Sequence, residues 1–334
     1  MATEIVDRIL GGDVRSVGRL LSRVENGEGP AKTAILARLF PHAAGASVLG
    51  VTGSPGVGKS TLVDQLARHY LERGDRVGIV AVDPTSPYTG GAILGDRIRM
   101  HSLSTHPGVF IRSMATRGTM GGLSAGVGDA LVVLGAAGYH RLIIETVGTG
   151  QDEVDIARSA EVTLVVLVPG MGDEIQALKA GIMEIGEIFV VNKADHPGAE
   201  KVVREIRALV ADRSTSRGWT PRVVATVATS GQGIGELAAA VREAHDFFRD
   251  SEAGRERRLS AERRRILELI EQRVLDEFRR TLDNSELDGL AEKVTRGETT
   301  PYEAAELLRG QWRSQNAVNH GPRGKIPRPA STES

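Results

Sequence analysis

The chain has 334 residues, and its 42 Lys and Arg nearly balance its 43 Asp and Glu, for a formal net charge of −1 at pH 7. This balance disfavours a nucleic-acid binder, which usually carries a strongly basic domain. The sequence contains no cysteine, which excludes disulfides, thiolate metal sites and cysteine nucleophiles. No apolar run resembles a signal peptide or approaches the ~18 residues of a membrane span. We therefore expect a cytoplasmic protein with no nucleic-acid or membrane partner.

The first 45 residues alternate short apolar clusters with charged residues. This pattern predicts two or three small helices that precede the main unit. Residues 1–45 are therefore interpreted as an N-terminal helical extension.

From Ser47 onward, short β-branched runs alternate with segments of helical spacing. The runs are apolar almost throughout, which is typical of strands buried on both faces of a parallel sheet. Repeated alternation of this kind predicts a doubly wound, mostly parallel α/β fold over residues 46–248. The seven predicted strands are 47–51, 76–82, 109–112, 141–144, 162–168, 188–191 and 222–227.

After Asp250 the strand pattern stops, and apolar residues at helical spacing predict one long amphipathic helix. Thr300 to Glu303 predict the start of another, with Thr as N-cap and Glu returning to the cap amide. We expect residues 249–315 to form a helical arm and 316–334 a disordered tail. The arginine-rich run 255–265 is interpreted as a solvated helix face, with a specific anion site as the alternative. The apolar stripe needs a partner, either the sheet or a second subunit.

Residues 53–61 match the pattern G-x-x-x-x-G-K-[ST] between an apolar strand and an amphipathic helix. Glycines let the loop curl so that backbone N–H groups converge on phosphate oxygens, and the helix adds its free N-terminal amides. We predict that Lys59 brings its charge to the β- and γ-phosphates and that Ser60 ligates Mg²⁺. The predicted phosphate-binding residues are Gly53, Ser54, Pro55, Gly56, Val57, Gly58, Lys59, Ser60 and Thr61.

A second motif, Asn192-Lys193-Ala194-Asp195, closes a predicted strand and resembles the N-K-x-D element of GTPases. The Asp195 carboxylate can accept hydrogen bonds from the ring N–H and the exocyclic amine of guanine, donors that adenine lacks there. We expect Asn192 to hold the neighbouring loops and the Lys193 stem to cover the base. The next strand leads to Ala228, Thr229 and Ser230, which are expected to present a backbone amide to the guanine oxygen, although Val227 replaces the usual serine.

Carboxylates also follow two other predicted strands, where the ligand crevice of such sheets lies. Asp83 and Asp96 are candidates to hold Mg²⁺ or to orient the attacking water, and the alternative is a turn or capping role. Glu145 occupies the place of the acid in a D-x-x-G element, and we expect it to bind Mg²⁺ through water. Gly148 is predicted to sense the γ-phosphate. Gln151 is a candidate catalytic residue that does not directly follow that glycine, so we expect slow intrinsic hydrolysis.

Together these motifs resemble one family, the SIMIBI-class P-loop GTPases of the methylmalonyl-CoA mutase-associated type (MeaB, ArgK and MMAA proteins). The resemblance covers the whole α/β domain in order, and Gly-Gly-Ala-Ile-Leu-Gly-Asp-Arg at 90–97 is more specific than a phosphate loop. The other matching segments are 53–61, 83–87, 99–100, 145–148, 150–151, 172–174 with Gln176, and 192–195.

The resemblance implies a homodimeric GTPase, with GTP, GDP and Mg²⁺ as ligands, that binds an adenosylcobalamin-dependent mutase. There it is expected to gate cofactor loading and to protect or reactivate the mutase. By the same resemblance Asp83, Asp96 and Glu145 become metal-site or switch residues. Residues 170–179 become a switch that responds to the mutase, with Lys179 a candidate for stimulated hydrolysis.

Three other functions are alternatives to this one. A nickel-type metallochaperone would store soft metal, which the absence of Cys and only 8 His disfavour. An amino-acid transport kinase of the ArgK type would need a phosphorylated protein partner, and no feature of the sequence indicates one. A signal-recognition-type targeting GTPase would need a Met-rich binding domain, and 6 Met residues spread along the chain do not form one.

Overall fold

The computed structural model describes residues 2–26, 30–84, 103, 105–116, 122–146, 159–170, 182–211 and 218–319. The chain divides into two compact units, Met1–Glu268 and Leu269–Ser334. No helix within the described ranges is both long enough and apolar enough to cross a bilayer.

Unit 1 is built on a sheet whose seven described strands are all parallel, in the order β3-β2-β4-β1-β5-β6-β7. All seven predicted strands are confirmed within a few residues at their ends. The strands are β1 (Ser47–Thr52), β2 (Val77–Pro84), β3 (Val109–Thr116), β4 (Arg141–Thr146), β5 (Val162–Leu167), β6 (Ile188–Val191) and β7 (Arg222–Ala225).

Helices cover both faces of this sheet, which is why its strands are apolar almost throughout. One core cluster packs α4 (Lys59–Leu71), α7 (Ala199–Ala211) and α8 (Ile234–Asp250) against one face. A second cluster packs α1 (Ala2–Leu10), α2 (Val14–Asn26), α3 (Pro30–Leu39) and α5 (Gly122–Ala136) against the other. Residues at alternate positions of β4 belong to opposite clusters, Ile143 to the first and Leu142 and Ile144 to the second. A 3₁₀ turn (Phe40–His42) and the short α6 (Ile182–Ile185) are the other helical segments described before residue 252.

The helix α9 (Glu252–Thr281) begins in unit 1, and two of its arginines contradict the expected solvated face. Arg257 Nη1 lies 2.5 Å from the buried Glu187 carboxylate, and Arg265 Nη2 lies 3.4 Å from the buried Asp129 carboxylate. Arg258 donates to the carbonyl of Phe248 at 2.6 Å. The interpretation is wrong for Arg257 and Arg265, because their partners lie far away in the sequence, where spacing gives no sign of them. Arg255, Arg258 and Arg263 are exposed, as the interpretation expected.

Unit 2 contains the end of α9, α10 (Asn284–Thr295) and α11 (Pro301–Asn319). The predicted capping box is confirmed, since Glu303 N–H donates to Thr300 Oγ1 at 3.2 Å and Thr300 N–H donates to the Glu303 carboxylate at 3.0 Å. That backbone hydrogen bond from Thr300 lowers the pKa of Glu303. Several large apolar side chains of this unit are exposed, among them Ile270, Val274, Leu275, Leu287 and Leu307.

Candidate nucleotide site

The predicted phosphate loop connects β1 to α4 and bends at three glycines with positive φ, Gly53 at 142°, Gly56 at 80° and Gly58 at 94°. Two of these positions also leave no room for a side chain. A Cβ at Gly53 would lie 2.3 Å from the carbonyl oxygen of Val166, and one at Gly58 would lie 2.5 Å from Asn192 Nδ2. The loop therefore needs glycine both for its backbone angles and for close packing against β5 and the end of β6.

Lys59 begins α4, and its side chain folds back over the loop that precedes it. The ammonium Nζ lies 2.5 Å from the carbonyl oxygen of Gly53 and 3.0 Å from that of Ser54, and the residue is buried. A buried ammonium at a helix N-terminus, surrounded by a glycine-rich loop, is suited to hold phosphate oxygens.

Ser60 and Glu145 meet beside the loop. The Ser60 hydroxyl donates to Glu145 Oε1 at 2.6 Å, and Glu145 is 3% exposed. Sheet register explains the approach, because Glu145 pairs with Val51 of β1, two residues before the loop begins. A hydroxyl and a carboxylate that converge on one point are the hard oxygen donors that Mg²⁺ accepts. These two residues therefore fit the predicted metal role.

The backbone of Asp83 reaches the same edge of the sheet. On β2, Ala81 pairs with Glu145, and Asp83 lies two residues further toward the strand end. The Asp83 side chain lies outside what the structure describes. So do the predicted site residues Asp96, Gly148, Gln151 and Lys179.

Asn192 links three segments that are distant in the sequence. Its Nδ2 donates to the carbonyl of Val57 in the phosphate loop at 2.9 Å, and its Oδ1 accepts from Thr226 Oγ1 and from Ala228 N–H, each at 3.1 Å. The side chain is buried, with 2% exposure. One amide thus joins the phosphate loop to the loop after β7. Thr226 was not predicted from the sequence, although its position directly after β7 and next to Val227 is a signal that points to it.

The neighbours of Asn192 complete the motif. Lys193 has a positive φ of 54°, and its Nζ donates to the carbonyl of Gly56 at 3.1 Å. Ala194 N–H donates to the carbonyl of Thr226 at 3.0 Å. Asp195 follows in the same turn with its side chain exposed. The Asp195 carboxylate is therefore exposed to solvent, while the residues before it hold the phosphate loop and the loop after β7 by hydrogen bonds.

Of the three residues after β7 predicted to present an amide, two use their N–H groups within the protein. Ala228 N–H binds Asn192, and Ser230 N–H donates to the carbonyl of Val227 at 3.1 Å. Thr229 is exposed, and its N–H makes no hydrogen bond to any described residue. The Thr229 amide is thus the one of the three that this geometry leaves available to a ligand.

Known proteins resemble this chain over most of its length. The family model described as Methylmalonyl Co-A mutase-associated GTPase MeaB matches residues 17–283. A Pyrococcus abyssi protein, whose name assigns it provisionally to the GTPases, is 42% identical over 92% of this chain and 96% of its own length. The mouse protein named methylmalonic aciduria type A homolog, mitochondrial, is 34% identical over 80% of this chain and 66% of its own length. The crystal structure of a LAO/AO transport system kinase has the same fold, with a TM-score of 0.68 and 22% identity over 93% of this chain and 97% of that one.

Proposed function

The chain belongs to the MeaB family of methylmalonyl-CoA mutase-associated GTPases, and we propose that it hydrolyses GTP in the service of a cobalamin-dependent acyl-CoA mutase. In this proposal the protein assists the mutase in cofactor loading, protection or reactivation. One observation carries the nucleotide part of the proposal: Asn192 fastens the phosphate loop to the loop after β7 and so places a phosphate cradle and Asp195 on one edge of the sheet.

Guanine recognition is assigned to Asp195 and the loop after β7. The carboxylate accepts hydrogen bonds from the ring N–H and exocyclic amine of guanine, and the Thr229 amide faces the guanine oxygen. Adenine offers neither donor to the carboxylate, so ATP would bind with that charge unpaired, at a cost of several kcal/mol. Lys193, held to Gly56, covers one face of the base.

Phosphate binding is assigned to the loop amides and to Lys59, which exchanges its two carbonyl partners for phosphate oxygens. Ser60 and Glu145 hold Mg²⁺, the serine directly and the glutamate through water. The metal supplies positive charge against the phosphates during hydrolysis. Asp83 and Asp96 extend the metal site or orient the attacking water, and Gly148 senses the γ-phosphate. Gln151 is a candidate catalytic residue, and Lys179 is the candidate for stimulated hydrolysis.

The family description and the name of the mouse relative support a mutase as the partner. The apolar stripe of α9 supports homodimerisation, because Ile266, Leu267 and Ile270 are each more than half exposed. Large exposed apolar patches mark protein–protein interaction sites. We propose that a second copy covers this stripe.

The partner is tested by capture from a lysate with the full chain as bait, loaded with a non-hydrolysable GTP analogue, with GDP, or with no nucleotide. The expected result is nucleotide-dependent recovery of a cobalamin-dependent mutase. An Asp195→Asn bait, which offers an N–H where guanine also donates, should lose this dependence. Recovery of a nickel enzyme or a solute-binding protein instead would contradict the proposal.

Hydrolysis is predicted to be slow until the partner orders the site. Single-turnover assays with purified chain and GTP should give a rate far below ten per second, on the scale of intrinsic rates of unassisted GTPases, about 10⁻⁴ to 10⁻² per second. Addition of the purified mutase should raise this rate. A rate on the order of ten per second in the chain alone would refute the expectation.

A further inference from the structure

A cavity of about 810 Å³ lies within unit 1 at the edge of the sheet opposite the phosphate loop. Ser47 and Val48, the first residues of β1, line it, whereas the phosphate loop follows the last residue of that strand. Ala160 and Glu161, just before β5, line it as well. The cavity is therefore separate from the nucleotide site, and its volume lies within the range of small-molecule sites, roughly 300–1,000 Å³.

The cavity wall combines apolar and cationic side chains. Its apolar part includes Leu131 and Val132 of α5 and the aromatic rings of Phe40 and Phe248. Its cationic part comes from the first half of α9, with Arg257, Arg258, Arg264 and Arg265, and from Arg249 of α8. Arg249 already pairs with the carboxylates of Asp246 and Asp250. A wall of this kind suits a ligand with an apolar body and a charged end.

The arginines differ in whether their charge is already balanced. Arg257 pairs with the buried carboxylate of Glu187. Arg265 shares the buried carboxylate of Asp129 with Lys32, whose ammonium lies nearer to it, at 2.9 Å. Arg258 donates to two backbone carbonyls, those of Phe248 at 2.6 Å and Arg249 at 3.1 Å, which carry no net charge. Arg264 is partly buried and has no hydrogen bond or ion pair with any described residue.

Carboxylates on the wall do not supply the missing partner. Glu161 lies 3.1 Å from His245 Nδ1, and Glu262 is exposed to solvent. Glu268, the last residue of unit 1, already interacts with another group and is not a free carboxylate. Because a partly desolvated guanidinium favours a bidentate oxyanion, the wall calls for a negative group beside Arg264.

We propose that this cavity binds an amphiphilic organic carboxylate, whose acyl chain lies against Phe40, Leu131 and Phe248 and whose carboxylate binds Arg264. The charge pattern selects the anion, and the apolar wall selects the chain. The site lies outside the proposed GTPase machinery, so its ligand binds independently of guanine nucleotide.

The test uses octanoate as the probe and the full chain in calorimetry. Octanoate should bind saturably, while acetate, which lacks the chain, and 1-octanol, which lacks the charge, should bind at least about tenfold more weakly. Arg264→Gln should weaken octanoate binding about tenfold or more, the usual weight of a charge-assisted contact. Arg263→Gln, which changes the exposed neighbour outside the cavity wall, should leave it unchanged. Ala261→Trp, which fills the cavity, should abolish it, and circular dichroism verifies that each variant folds.

Any of four results would overturn the proposal. The first is 1-octanol binding as tightly as octanoate, and the second is Arg263→Gln weakening binding as much as Arg264→Gln does. Displacement of octanoate by saturating GDP would place the probe in the nucleotide site. A changed sedimentation coefficient for Arg264→Gln without octanoate would show that a second copy of the chain covers the cavity instead.

Discussion

At the scale of single residues, Asn192 contributes most to the geometry of the nucleotide site. Its one side chain satisfies the Val57 carbonyl and receives hydrogen bonds from Thr226 and Ala228, all in the protein interior. A buried group that loses its hydrogen-bond partner costs about 1–3 kcal/mol. Motif spacing predicted that Asn192 holds the neighbouring loops. It did not identify the three partners, because Thr226 and Ala228 are brought near by the pairing of β6 with β7, and Val57 by the packing of the phosphate loop against the end of β6.

Asn192→Ala should lower affinity for GDP by about 10- to 100-fold, since the phosphate loop and the loop after β7 lose their common anchor. Thr226→Val serves as the matched control because it removes only one of the three hydrogen bonds, and its effect should stay below about tenfold. Calorimetry with GDP measures both variants. Unchanged GDP affinity in Asn192→Ala would show that the loops are held by other contacts.

At the scale of elements, the parallel strands and the phosphate loop follow from sequence, while the attachment of α9 does not. Apolar runs and glycine spacing are local signals, so the seven strands and the loop at 53–61 were predictable. Glu187 and Asp129 are separated from their arginine partners by 70 and 136 residues. Only the folded chain shows that these carboxylates are buried, that Arg257 pairs with Glu187, and that Arg265 pairs with Asp129 together with Lys32.

Arg257→Gln should lower the free energy of unfolding by about 2–3 kcal/mol, because the buried Glu187 carboxylate keeps its bond from Thr163 N–H but loses its cation. Arg255→Gln is the matched control on the same helix. Arg255 and its partner Glu252 are both more than 70% exposed, so that loss should stay below about 1 kcal/mol. Chemical denaturation of the full chain measures both. Equal losses would contradict the attachment of α9 through Glu187.

The buried Tyr70 on α4 makes the free energy of unfolding depend on pH in the alkaline range. Burial raises the pKa of Tyr70 from 10.0 to about 12, against a smaller opposing effect of Arg141. The folded state therefore keeps its proton between pH 10 and 12 while the unfolded state releases it, so stability falls as pH rises through this window. The loss should reach about 2–3 kcal/mol by pH 12. Tyr70→Phe should lack this part of the slope in denaturation curves, and an identical slope in both proteins would refute the assignment.

At the scale of the whole molecule, the sequence predicted the fold class and proposed residues for phosphate, metal and base, but it did not predict the long-range packing around those residues. Gly58, for example, belongs to a recognisable motif, yet its need for glycine arises partly from Asn192, which lies 2.5 Å from the position of an added Cβ. The cavity lined by α9 could not be predicted from the sequence, because its wall is assembled from six separate segments between residues 40 and 268. Long-range packing, rather than local pattern, determines both features.

The central claim is that one edge of the sheet binds a guanine nucleotide through Asp195 at one end and the phosphate loop at the other. Calorimetric titration of the purified chain with GDP and with ADP, in the presence of Mg²⁺, tests it directly. The account predicts saturable binding of GDP and an affinity for ADP at least about 100-fold lower, the discrimination expected when a carboxylate loses both of its donors. Equal binding of the two nucleotides, or no binding of GDP, would contradict it.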